Sequence, residues 1–204
     1  MIREKLKLHF PELTEKQIED LLSLQNIYKE WNARINLISR KDIDSFDERH
    51  LLHSLALSFL WSPSDGERVI DIGTGGGFPG IPLAIMYPNV DFLLNDSIGK
   101  KIKVVEEVTR ELKLQNVRAV QERAENISGE FDTALSRAVA RLKVLTRYCI
   151  KSKMKADKLI CLKGGDLKAE INEVANYKKD ILNLSDKFEE PFFETKRVIK
   201  LQYR

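Results

Sequence analysis

The chain has 204 residues, 43% of them hydrophobic and 32% charged, with six prolines and a net charge of +3, which excludes disordered and fibrous classes and suits one compact soluble domain. No apolar run approaches the roughly 18 residues of a membrane span, and MIREKLKLHF lacks the apolar core of a signal peptide, so a cytoplasmic protein is expected. Cys149 and Cys161 form no CxxC pair and lie near no histidine cluster, which excludes a disulfide framework and a zinc site and predicts two buried thiols.

Thr14 and Gln17 have capping-box spacing, and Ile18, Leu21, Leu22, Leu24, Ile27, Tyr28 and Trp31 follow at helical intervals, predicting a helix over about 15–31. Ser45 and Glu48 repeat the signature ahead of a second apolar series ending near Leu60, so residues 1–62 read as an N-terminal helical extension. Turn chemistry at Ser62-Pro63-Ser64-Asp65-Gly66 separates it from a second unit, 67–204. There RVIDI, VDFLLND, VRAVQ, FDTALSR and KLICLKG alternate with helical stretches, including 99–114 and 139–152. This predicts an α/β, Rossmann-like domain with a mostly parallel sheet. The tail predicts a helix over about 166–182, then strands near 187–193 and 196–203 pairing as an antiparallel hairpin across Glu194-Thr195.

The chemistry concentrates in Val69-Ile70-Asp71-Ile72-Gly73-Thr74-Gly75-Gly76-Gly77-Phe78-Pro79-Gly80, a strand running through glycines into a helix with Pro79 or Pro82 at its first position. Glycines let the backbone approach a ligand that a Cβ would exclude. Gly75, Gly77 and Gly80 spell GxGxxG, so a dinucleotide is one candidate. Asp71, however, would repel a pyrophosphate and favour the ammonium and sulfonium end of S-adenosylmethionine. Asp96 ends the next strand, where a carboxylate can accept from both ribose hydroxyls. Arg123-Ala124-Glu125 falls on the adenine side, and Ser136-Arg137-Ala138 points at the reacting centre. All four segments lie at the carboxyl ends of strands, where open α/β sheets bind ligands.

The expected enzyme is therefore an S-adenosylmethionine-dependent methyltransferase. An Asn- or Asp-Pro-Pro-aromatic run for exocyclic amines is absent, and neither cysteine follows a proline as a pyrimidine-C5 nucleophile would. The N7 of guanine fits better, because its in-plane lone pair is free at neutral pH and alignment replaces a general base. Between Arg137 and Lys168 there are ten Lys or Arg against two acids, a local excess of +8 that suits a polyanion contact or a solvated face. Arg141, Lys143, Arg147 and Lys163 there, with Lys100 and Lys101 on another helix, are candidate RNA contacts, and Arg34 and Arg40 beside Asn36 a candidate basic rim. His50 and His53 lie three apart with no third ligand, so packing rather than metal is expected.

Asn36-Leu37, Arg49-His50, Ser54-Leu55, DIGTGGGFPGIPLAI, LLNDSIGKKIKVVEEV, RAE and SRA resemble the bacterial small-subunit ribosomal RNA guanine-N7 methyltransferases, the RsmG/GidB family, over about 30–165. The resemblance implies S-adenosylmethionine as donor, 16S ribosomal RNA or the small ribosomal subunit as partner, and N7 methylation of one guanine in the decoding-region loop. By the same resemblance Gly73 and Phe78 are cofactor-loop positions, Ala124 and Glu125 the adenine-side pair, Asp71 and Asp96 the acids, and Arg137 the site arginine; Gly75 is expected to bind the cofactor too, and Arg137 to serve both catalysis and cofactor binding. His53 stands where that family more usually has Asp before Ser-Leu, and a helix-surface contact is expected of it. A monomer with no metal and no membrane contact is expected. The competing readings are a methyltransferase for another substrate, a non-catalytic RNA-binding or assembly module, and a nicotinamide oxidoreductase, which would lack any evident Tyr-Lys pair.

Overall fold

The computed structural model describes residues 1–35, 37, 40–151 and 153–203, so Asn36 lies outside the described residues. Seven strands form one sheet: β1 (Arg68–Ile72), β2 (Asp91–Asp96), β3 (Val117–Gln121), β4 (Gly129–Arg137), β5 (Met154–Gly164), β6 (Tyr177–Asn183) and β7 (Lys196–Tyr203). Their order is β3-β2-β1-β4-β5-β7-β6. The pairs among β1 to β5 are parallel, and β7 runs antiparallel to both its neighbours. The chain moves outward from β1 through β2 to β3, then returns to place β4 on the other side of β1. That reversal opens a crevice at the carboxyl ends of β1 and β4, which is where the glycine loop and Arg137 emerge.

Apolar strand residues feed cores on both faces of the sheet. One face is covered by the N-terminal helices together with the helices Gly80–Met86 and Gly99–Glu111. The other is covered by the Leu142–Lys151 helix and the segment around Leu167 and Val174. Residues from Leu6 to Trp61 share the first core with Leu135, Ile160 and Val198 of the sheet. The capping box forms at Thr14, opening the helix Glu15–Arg34. Its Gln17 also donates through Nε2 to the carbonyls of Ile85 and Met86, both at 2.9 Å, closing the end of the Gly80–Met86 helix.

The second capping signature is not used. Phe46 precedes a helical run whose bonding passes from π over Asp47–Leu52, through α over His53–Leu55, to 3-10 over Ala56–Leu60. Pro79 is the cap of the Gly80–Met86 helix rather than its first residue.

The tail departs most from expectation. The helix expected over 166–182 stops after Lys168–Asn172, and Tyr177–Asn183 instead forms the edge strand β6, paired from Tyr177↔Tyr203 to Asn183↔Arg197. Apolar spacing could not anticipate this, because an edge strand exists only by virtue of the neighbour it pairs with. No strand forms near 187–193: that segment follows a 3-10 turn at Leu184–Asp186 and ends in another at Pro191–Phe193, and it buries Phe188 and Phe193 stacked at 4.3 Å. The antiparallel hairpin is therefore β6–β7, joined by a long connection rather than by a turn at Glu194-Thr195.

Candidate active site

Asp71, next to last in β1, is fully buried. Its Oδ2 accepts from the Thr74 hydroxyl at 2.6 Å and from the Gly80 amide at 3.0 Å, tying both ends of the glycine loop to the strand. Among the described residues its Oδ1 has no hydrogen-bond partner. Burial raises its carboxyl to about 6, against the hydrogen bonds from Thr74 and Gly80 and the nearby Arg137 charge. Asp71 thus sits behind the loop, outside the lining of the cleft, and through Oδ2 it holds the loop to the strand.

Gly73 has φ +67°, and a Cβ there would fall 2.6 Å from a Val139 methyl, so both conformation and space require glycine. Gly80 has an ordinary φ, but a Cβ would meet Leu94 at 2.2 Å where the helix crosses β2. Tyr28, fully buried on the Glu15–Arg34 helix, donates its hydroxyl to the Gly76 carbonyl and so braces the loop from the N-terminal segment.

The loop borders a cleft of about 570 Å³, the size of a small-molecule site. Asp96 lies on one side, with Oδ2 accepting from the Gly75 amide at 3.0 Å and Oδ1 from the Ile98 amide at 2.9 Å. Each oxygen keeps a lone pair for a further donor. Lys101 also lines the cleft, its Nζ 3.9 Å from Asp96, whereas Lys100 is exposed outside it. Ala124 and Glu125 occupy a 3-10 turn after β3 and line the cleft with Ile98 and Tyr148. Gly73, Gly75 and Phe78 complete the loop side.

Arg137 ends β4 on the opposite side. Its guanidinium lies 5.1 Å from the Phe78 ring centroid and donates to the Arg49 carbonyl at 3.3 Å. Burial lowers it to about 10, opposed by the Asp71 charge, so it stays protonated at neutral pH. A second cavity of about 380 Å³ adjoins the first, and Arg137, Ala138 and Val139 line both.

His53 is buried, not a helix-surface contact, with Phe192 edge-on at 5.2 Å. His50 packs 5.0 Å from Phe78 and stacks on Phe46, and burial lowers it to about 3. Among the described residues, no three metal-ligating side chains cluster. Cys149 and Cys161 are free and buried.

The basic stretch is partly neutralised by acids distant in sequence. Arg141 pairs with Glu173 at 2.8 Å, Lys158 with Glu67 at 3.4 Å and Lys163 with Glu170 at 2.9 Å. Lys143 and Arg147 are exposed and, among the described residues, form no ion pair. Sequence reasoning missed Tyr28, Tyr148 and Glu170. Tyr28 looked like one more apolar helix position, and no local signal marked its hydroxyl.

Solved structures share this architecture. A mutant of MtNAS in complex with S-adenosylmethionine matches with TM-score 0.57 at 16% identity, over 93% of this chain and 73% of that one. The precorrin-6y C5,15-methyltransferase from Geobacter metallireducens gives 0.55 at 13%, over 83% and 92%. At these identities the likeness shows the fold. The curated protein from Christiangramia forsetii called ribosomal RNA small subunit methyltransferase G is 47% identical over 98% of this chain and 97% of its own length. Its namesake from Porphyromonas gingivalis is also 47% identical, over 97% and 92%. The family model described as rRNA small subunit methyltransferase G matches residues 17–196. Glycine loop, terminal acid and strand-end arginine thus sit in a chain that belongs to the rRNA small subunit methyltransferase G (GidB) family.

Proposed function

We propose that the protein transfers a methyl group from S-adenosylmethionine to N7 of one guanine in the decoding-region loop of 16S ribosomal RNA. The observation that carries this is the meeting at Arg137 of two cavities, of about 570 and 380 Å³, which we read as the cofactor cleft and the target-base site. The cleft suits the donor: Asp96 offers acceptors to the ribose, the Ala124–Glu125 turn a place for the adenine, and the Gly73–Gly75 backbone a close approach. S-adenosylmethionine supplies an electrophilic methyl group on a sulfonium.

The protein's own part is alignment and charge. The target N7 carries a free lone pair and loses no proton on methylation, so no side chain need act as a base. This agrees with a site in which burial holds His50 and His53 neutral. Arg137, fixed over Phe78 and against the Arg49 carbonyl, is held where the two cavities meet and can orient the base or its phosphate. Lys143 and Arg147 offer exposed cations to the RNA backbone. No described helix is long and apolar enough to cross a membrane, and a cytoplasmic site of action fits the proposed substrate.

The test is transfer of radiolabelled methyl from S-adenosylmethionine to small ribosomal subunits from a strain lacking the gene, followed by nucleoside analysis. Label in 7-methylguanosine supports the reading. Label in another nucleoside, or none with the cofactor bound, overturns it.

A further inference from the structure

The second cavity carries an arrangement that the methyl transfer itself does not use. Glu170, in the short helix after β5, lines it with Lys163 of β5 and with Arg137. One carboxylate oxygen, Oε2, is anchored, accepting from Lys163 Nζ at 2.9 Å and from the Leu142 amide at 3.0 Å. Among the described residues the other oxygen, Oε1, has no hydrogen-bond partner. Lys163 is anchored in turn by donating to the Ala140 carbonyl, and its ammonium has a third hydrogen to give. Its side chain is 9% exposed and that of Glu170 18%, so the pair is held in place rather than swept through solvent.

Along one side of guanine the polar atoms run N7 and O6, both acceptors, then N1–H and the 2-amino group, both donors. The cavity lining holds groups that can meet these atoms: Arg137, which it shares with the cofactor cleft, the Lys163 ammonium as a donor, and Glu170 as an acceptor bonded to that donor. Adenine would present an amino donor where guanine has O6 and a bare acceptor at N1, the reverse of what the pair can meet. Burial pushes the Glu170 carboxyl up, but the bonds from Lys163 and Leu142 and the charges of Lys163 and Arg141 outweigh it and keep the group ionised at neutral pH.

We propose that Glu170 is the residue that selects guanine, its free oxygen Oε1 accepting from N1–H and the 2-amino group, with Lys163 fixing the carboxylate through Oε2 and facing O6. This rests on the reading of the second cavity as the target-base site. One carboxylate oxygen that accepts from two neighbouring donors reads both at once, and its loss is felt as a fold-change in transfer rather than in cofactor affinity.

The experiment compares small subunits reconstituted with 16S ribosomal RNA carrying guanosine or inosine at the target position, inosine differing only by the missing 2-amino group. With the wild-type enzyme, kcat/KM falls about ten- to a hundredfold on inosine. Glu170→Gln loses a similar factor on guanosine, shows little further loss on inosine, and binds S-adenosylmethionine with unchanged affinity. Equal wild-type rates on guanosine and inosine overturn the proposal without recourse to any variant, since folding of a mutant plays no part. Glu170→Gln that discriminates the two substrates as the wild type does overturns it as well. Failure of the broader reading looks different: the wild type then places no label in 7-methylguanosine on guanosine-containing subunits.

Discussion

Replacing Asp71 with asparagine removes a charge from the most buried part of the site while keeping its shape. The asparagine oxygen can take the place of Oδ2, accepting from Thr74 and Gly80, and its amide nitrogen falls where Oδ1 already lacks a partner. Burial lifts the carboxyl from 3.8 to about 6, a burden on the ionised native state of about 3 kcal/mol at neutral pH. Between those two values the native state holds a proton that the unfolded chain has released. This group's contribution is therefore most favourable below about 3.8, is lost as pH rises to about 6, and stays lost above. Urea unfolding of both proteins at a series of pH values, at constant ionic strength, isolates the effect as a difference from which all other titrations cancel. Asp71→Asn should be more stable near pH 7.5, by about 1 to 3 kcal/mol, with the advantage shrinking toward pH 4. A variant equally destabilised at every pH would refute the reasoning, because it would mean that the carboxylate, not its shape, holds the loop.

Three further outcomes follow from the site. Asp96→Ala removes the acceptors facing the cleft and should weaken S-adenosylmethionine binding in calorimetry about ten- to a hundredfold. Gly73→Ala meets both a left-handed φ and the Val139 methyl at 2.6 Å, so it should lower the melting temperature by several degrees, on the order of 4–8 °C, and cofactor affinity with it. Replacing Lys143 and Arg147 with alanine should weaken RNA binding and flatten its logarithmic salt dependence by about one to two, leaving cofactor affinity unchanged. Adding Arg141→Ala should contribute less, since Glu173 already holds that side chain.

The central sheet was legible in the sequence because β1, β2, β4 and β5 are short apolar runs between helices, and such strands are buried on both faces. The glycine loop was legible for a local reason, since positive φ and close approach leave a one-letter trace. The tail was not legible. Tyr177–Asn183 has a polar, mostly exposed pattern, and only pairing with β7 makes it a strand. The same holds for the site. Asp71 could be singled out as a buried acid, but its hydrogen bonds to Thr74 and Gly80, which tie the loop to the strand, could not. The basic stretch looked like +8 of uncompensated charge, whereas Glu67, Glu170 and Glu173 return to meet it through the fold. Partners of that kind are set by tertiary contact and leave no local signature.

The most direct test of the account is mass spectrometry of nucleosides from 16S ribosomal RNA in cells lacking the gene, complemented with the wild type or with Arg137→Ala. 7-Methylguanosine at one site in the decoding-region loop should be absent without the gene, restored by the wild type and not by an Arg137→Ala protein that accumulates and binds cofactor. A wild type that restores no 7-methylguanosine would contradict the assigned reaction, and full restoration by Arg137→Ala would contradict the junction of the two cavities as its centre.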